Sequence, residues 1–166
     1  MKEKKKVFPA RIAGVRDRSA GAHSKHLQKL IRHINRKYWW HVRPADCRAY
    51  AKRGKFFSST FKEAEFYGRP IDEPEKVAIA RPLVGDNDRI EKQLIGRVES
   101  HSDVCVQRRL ALDAKLRCAA IRNGFDSIVL FSPTAFQAFN DKGVIPRSIE
   151  LNVVDLSCLA NLKTET

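Results

Sequence analysis

Missing features narrow this sequence first. No run of about 18 apolar residues occurs and the opening residues hold no apolar core, so neither a membrane span nor a signal peptide is expected. Cysteine is scarce and scattered. Cys47, Cys105, Cys118 and Cys158 form no C-x-x-C and have no histidine at zinc-finger spacing, which argues against a disulfide framework or a structural zinc. They are expected as small buried hydrophobes in a reducing, cytoplasmic setting, and no metal ligand set is expected. G-x-G-x-x-G and the P-loop are both absent, which removes the commonest phosphate-cradling loops. No unit repeats along the chain.

Acidic residues are missing from the first third. Seventeen of the 32 lysines and arginines lie in residues 1–55, opposed only by Glu3, Asp17 and Asp46, so the formal net charge of +13 resides there. Such a field attracts polyanions with an affinity that falls with salt. Nucleic acid, or a protein bound to it, is the partner this suggests; a solvated basic face is the plainer alternative. After Ser24, a candidate N-cap, Leu27, Leu30, Ile31 and Ile34 recur at helical steps. The same helix turns Lys25, Lys29, Arg32, Arg36 and Lys37 outward, as the candidate nucleic-acid-binding residues. Residues 1–38 therefore read as a basic extension with one amphipathic helix, and residues 39–166 as the domain proper. The chain's 43% apolar residues suffice for an ordinary core.

Periodicity and punctuation place strands over 38–42, 55–59, 76–83, 125–131 and 148–154. Helical turns are expected over 46–53, then helices to Tyr67 after a Ser59 or Thr60 cap, to Ile95 after Asp86, and to Asn123 after Ser102 or Asp103. Val106, Leu110, Ala114, Cys118 and Ile121 mark the expected buried stripe of the longest helix. A last helix opens with Pro133 at its first position and ends by Gly143. This order predicts an α+β fold and not a doubly wound parallel sheet.

Several side chains offer chemistry. His41 closes an aromatic cluster and can hydrogen-bond a ribose or a base. Phe56 and Tyr67 are flat surfaces able to sandwich a planar ring, and one of Phe56 and Phe57 must face inward because strand side chains alternate. Ser58 and Ser59 bring compact hydroxyls to a strand end. In the last strand Ile149, Leu151 and Val153 point one way and Glu150, Asn152 and Val154 the other. Glu150 is the strand's one carboxylate, suited to stabilising positive charge on a sugar ring. Taken singly, each has a plain alternative: a structural histidine, a packing ring, a solvated carboxylate.

Their order resembles the ADP-ribosyltransferase fold, in the branch typified by diphtheria toxin and the poly(ADP-ribose) polymerases. That pattern has a histidine on an early strand, two aromatic residues around nicotinamide and a glutamate on a late strand. Here Gly54-Lys55-Phe56-Phe57-Ser58-Ser59 sets Phe56 at the first ring and Tyr67, eleven positions on, at the second. Ala119 to Asp126, followed by Ser127-Ile128-Val129-Leu130 and then Arg147 to Val154, is similar to the layout of bacterial and phage members. The resemblance implies split antiparallel sheets flanked by helices, NAD as cofactor, Glu150 and His41 as catalytic residues, and His41, Arg43, Phe56, Ser58, Ser59 and Tyr67 around NAD. Arg43 enters because Ser58-Ser59-Thr60 is similar to the Ser-Thr-Ser of the arginine-modifying branch. Ser148 stands where that branch often carries Glu or Gln, which argues against arginine as the acceptor. Val42 replaces the usual Gly or Thr after the histidine, and Phe56 replaces a Tyr. The implied function is an ADP-ribosyltransferase acting on a macromolecule, with two alternatives: a non-catalytic nucleic-acid-binding or phage accessory protein on the same fold, or an RNA 2'-phosphotransferase.

Overall fold

The described residues form four short strands, where five were expected, and six helices. A computed structural model of the chain describes residues 18–46, 48–101 and 105–159, with the backbone alone at 18–20 and 22. In chain order these form α1 (Arg18–Arg36), α2 (Ala49–Arg53), β1 (Lys55–Ser58), α3 (Phe61–Glu65), β2 (Pro82–Gly85), α4 (Asn87–Ile95), α5 (Val106–Arg122), β3 (Ser127–Leu130), α6 (Pro133–Lys142), β4 (Glu150–Val153) and a 3-10 turn over Leu156–Cys158. The strands join in one sheet of order β1-β4-β3-β2. β4 pairs antiparallel with both β1 and β3, while β2 and β3 run parallel. The expected α+β class is met, but the described strands make one mixed sheet where split antiparallel sheets were expected. The departure has a plain cause: α4 and α5 fill the β2–β3 connection and form the crossover that a parallel pair requires.

Alternation gives the sheet two unlike faces. Phe57, Val129, Leu151 and Val153 lie in the larger core with Leu30 and Ile34 of α1, Trp39, and Phe136 and Phe139 of α6. On the other face Leu83 and Ile128 pack with Ile90 of α4 and Ala120 of α5. The basic helix is thus no arm apart from the domain, since Leu30 and Ile34 are fully buried. Its last turn is tied down further. The Trp39 indole N–H donates to the Ile34 carbonyl at 3.0 Å, and the Asn35 amide exchanges two hydrogen bonds of 2.9 Å with the backbone of Ile79. The helix begins at Arg18, so Ser24 lies within it and is not its cap.

Other expectations fail for identifiable reasons. The 38–42 strand reduces to single bridges at Trp39 and Trp40. The strand expected over 76–83 is reduced to a single bridge of Val77 with Leu159 and a strand starting at Pro82, because between them the Asn35 side chain takes the N–H of Ile79 and the Asp126 carboxylate takes those of Ala80 and Arg81. In α5 the buried residues are Leu112, Ala119 and Ala120, while Val106, Leu110 and Ile121 are exposed, so the expected stripe faces water. Apolar residues occur around most of this helix, and periodicity alone does not choose between its sides. Cys105 and Cys118 are exposed and Cys158 half-buried, against the expectation of buried cysteines. Cys47 and the expected caps Ser102 and Asp103 lie outside the described residues. No helix among the described residues is long and apolar enough to cross a membrane.

Because α1 completes the core, Ile34→Ala should lower stability by about 2–5 kcal/mol, read as an earlier urea midpoint. Arg32→Ala on the exposed side should shift it by less than about 0.5 kcal/mol. Equal midpoints for the two variants would show that α1 is not docked.

Candidate active site

The pairing of β1 with β4 builds the site. Ser58 stands opposite Glu150 and Phe56 opposite Asn152, so these four side chains share one face of the sheet. Phe57 takes the opposite side and is almost wholly buried, which settles the choice between the two phenylalanines. Gly54 leads into β1 at φ 84°, where an added Cβ would collide with the Asn152 side chain and the Val153 carbonyl, so only glycine lets the two strands close there.

α3 then carries a ring back over the strand end. Thr60 caps it in a reciprocal capping box with Glu63, and the helix is short enough that Tyr67 follows directly. The Tyr67 hydroxyl donates to Glu150 Oε1 at 2.9 Å. Although the residue as a whole is 61% exposed, burial around the hydroxyl, reinforced by the charge of Glu150, pushes its pKa up to about 12. At neutral pH it is therefore a fixed donor to the carboxylate.

Glu150 and Tyr67 border a cavity of about 650 Å³ whose wall also holds His41, Arg43, Phe56 and Ser58, so six of the seven expected catalytic and cofactor residues converge on one space. Ser59 does not. It is buried, and its hydroxyl accepts from the Ile149 N–H at 2.8 Å and donates to the Ile149 carbonyl at 3.0 Å, locking the start of β4. Its service to the site is to hold the residue before Glu150.

His41 is only 6% exposed, between Asp72 (Nε2 to Oδ2, 3.5 Å) and Glu75 (Nδ1 to Oε1, 3.4 Å). Its Nδ1 has no hydrogen-bond partner. Burial lowers its pKa, Lys55 lowers it further, and Glu75 and Asp72 oppose the shift without reversing it. The ring is held edge-on by Tyr50 and Phe57 as a neutral wall group. Arg43 is gripped by Asp72 through two hydrogen bonds, of 3.2 and 2.5 Å. Its remaining N–H groups are available to the cavity.

Other cavity residues went unseen in the sequence: Tyr50, Arg53, Arg109 and Asp113. The last two sit one turn apart on α5, with Arg109 Nε 3.6 Å from the Asp113 carboxylate, and that four-residue spacing of opposite charges was the available signal. Burial pushes the Asp113 pKa up; Arg109 and Arg53 pull against it. The cavity wall therefore alternates cations with the carboxylates of Asp113 and Glu150. Among the described residues no group of three or more His, Cys, Asp or Glu is arranged to hold a metal ion.

The candidate nucleic-acid residues lie elsewhere. Lys25, Lys29, Arg32 and Arg36 are exposed on α1 and Lys37 is half-buried just after it; none lines the cavity. The Lys29 ammonium reaches the Gly143 carbonyl, 3.3 Å away, at the C-terminal end of α6, where a cation is favourable. Beside them the His33 pKa is lowered by burial and then by Lys37 and Lys29.

Comparison of the chain with protein-family models, with curated proteins and with solved structures finds no match.

The Tyr67–Glu150 contact is open to titration. Followed by phenolate absorbance, the protein should show a tyrosine step near pH 12 that Tyr67→Phe abolishes. In Glu150→Gln this step should move down yet stay above the ordinary value of 10.0, because burial is the larger cause and remains. The bonded phenol favours the folded state below pH 10.0 and loses that advantage as pH rises through about 12, so Tyr67→Phe should flatten the alkaline fall in stability.

Proposed function

We propose that this chain is an NAD-dependent ADP-ribosyltransferase that modifies a macromolecular target, nucleic acid or a protein associated with it. The observation that carries the reading is the hydrogen bond from Tyr67 to Glu150, set in a cavity that also gathers His41, Arg43, Phe56 and Ser58. The resemblance read from the sequence names the same residues.

The residues present fit NAD by their chemistry. The cavity volume of about 650 Å³ falls among those of cofactor sites. Phe56 and Tyr67 offer two flat ring surfaces for the nicotinamide, and Arg43, Arg53 and Arg109 offer guanidinium groups for a diphosphate. His41 lines that wall, and its buried Nδ1, 3.4 Å from Glu75, makes no hydrogen bond. Bound NAD supplies an N-glycosidic bond whose cleavage leaves positive charge on a ribose.

Glu150 supplies the negative charge that favours this state, and the Tyr67 phenol orients it while holding its own proton. Ser59 and the Ile149 backbone keep that carboxylate in place. Neutral, buried His41 acts as a wall and hydrogen-bonding group for the nucleotide and not as the source of a proton. The Arg109–Asp113 pair keeps the α5 side of the cavity polar without placing an unbalanced carboxylate there.

The exposed cations of α1 serve on this reading to bring a polyanionic target to the domain, which the formal net charge of +13 favours.

Two measurements test these statements. Glu150→Gln keeps the shape and removes the charge; NAD binding by calorimetry should persist while nicotinamide release falls by about 10²–10³-fold. Unchanged turnover in that variant would remove Glu150 from the chemistry, and absence of any heat with NAD would remove the cofactor. For the partner, joint replacement of Lys25, Lys29, Arg32 and Arg36 by Glu should weaken oligonucleotide binding and flatten its dependence on salt. Equal salt slopes would place the polyanion elsewhere.

A further inference from the structure

Besides the main cavity, Glu150 borders a narrow crevice beside α4 and α5 and, on the α3 side, an outer hollow. This more open space, about 220 Å³, is walled by Ser58, Glu63, Phe66, Tyr67 and Ser148 together with Glu150. Ser58, Tyr67 and Glu150 belong to both spaces, so the Tyr67–Glu150 pair is a wall that the two share. A group-transfer site needs that arrangement, because donor and acceptor must approach the same carbon from different directions.

The outer hollow has one conspicuous surface. Phe66 is 86% exposed and sits edge-on to Tyr67, with ring centroids 5.2 Å apart and planes at 86°. The backbone that carries it is fixed, since the Phe66 and Tyr67 N–H groups close the end of α3 on Glu63 and Ala64. The side chains of Glu63 and Ser148 offer an acceptor and a hydroxyl beside the ring.

We propose that this hollow binds an unpaired base of single-stranded nucleic acid, stacked on Phe66, as the acceptor of the group transferred at Glu150. The inference rests on the ADP-ribosyl reading above and names its acceptor class. A flat hydrophobic ring held in water beside polar groups suits a base face with hydrogen-bonding edges, and every base has such a face. The formal net charge of +13 matches a phosphate backbone and repels a basic protein target. A duplex presents no free base face, so the acceptor is single-stranded or locally unpaired. In the transfer, a nitrogen or hydroxyl of the acceptor supplies the electron pair of the new bond to the ribose carbon. The N-glycosidic bond breaks with its pair going to nicotinamide, and the proton displaced from the acceptor passes to solvent.

Phe66→Ala in the full chain tests this, because so exposed a ring can be removed without unfolding the domain. Labelled single-stranded DNA and RNA oligonucleotides, followed by fluorescence anisotropy, should bind Phe66→Ala about 5- to 150-fold more weakly than the unaltered chain. Phe66→Trp should restore binding, and duplex of the same sequence should show no such difference between the variants. Transfer of labelled ADP-ribose to the oligonucleotide should fall in parallel. Unchanged oligonucleotide affinity in Phe66→Ala overturns the proposal, as does label passing to an unstructured polypeptide in preference to the oligonucleotide, which would make the hollow a protein site. Nicotinamide release by the unaltered chain separates the two readings. If none occurs the ADP-ribosyl reading fails, while the anisotropy comparison still decides whether Phe66 stacks on a base.

Discussion

Ser58 and Glu150 face one another because β1 and β4 pair antiparallel with Lys55 opposite Val153, and most of what surrounds them depends on that register. Side chains alternate with a period of two, so a slip of β4 by one residue would send Glu150 into the apolar core and bring Leu151 out. The large difference in burial between the two faces resists such a slip. Two local devices reinforce the register. Gly54 has no side chain to strike Asn152, and the Ser59 hydroxyl closes a two-way clamp on Ile149. Both act at the ends of the pairing, where strands otherwise fray.

Electrostatics around the cavity follow from the same geometry. Bringing β1 and β4 together places Glu150 near the Tyr67 phenol, and α5 adds Arg109 and Asp113 from across the sheet. An ionised carboxylate in such a place needs compensation. Tyr67 gives Glu150 a hydrogen bond, while Asp113 has the cation of Arg109 at 3.6 Å and the charge of Arg53. The two carboxylates are therefore differently situated: Glu150 is bonded and oriented, Asp113 is buried with its proton affinity raised. His41 shows the same balance as Asp113 with the charges reversed, since burial and Lys55 outweigh the two carboxylates beside it and keep it uncharged.

What could be read in the sequence was whatever short-range chemistry decides. The caps at Thr60, Asp86 and Ser132, each accepting from the backbone three residues on, and the glycine stops at Gly96 and Gly143 stand where local rules put them. So does Glu150, because a period of two in 148–154 assigns it a face without any knowledge of partners. The failures belong to tertiary structure. Which side of α5 is buried depends on where the sheet lies, and the helix offers apolar residues toward either choice. The late start of β2 depends on Asn35 and Asp126, distant in sequence, taking the N–H groups that a strand would have used. Arg109 and Asp113 reach the cavity only because the crossover lays α5 over the face that carries Glu150.

Exposed apolar side chains in this molecule differ in what their neighbours make of them. Val106, Leu110 and Ile121 lie along one side of α5, and their exposure says only that the helix is apolar on two sides. Phe66 is a different case. Its ring lies edge-on to Tyr67, whose hydroxyl is committed to Glu150, and that residue borders both the main cavity and the more open hollow. A ligand that stacked on Phe66 would touch Tyr67 and so bear on the hydrogen bond that orients Glu150. The two spaces are thereby linked through a single phenol, and occupancy of the outer one has a direct physical route to the charge that faces the inner one.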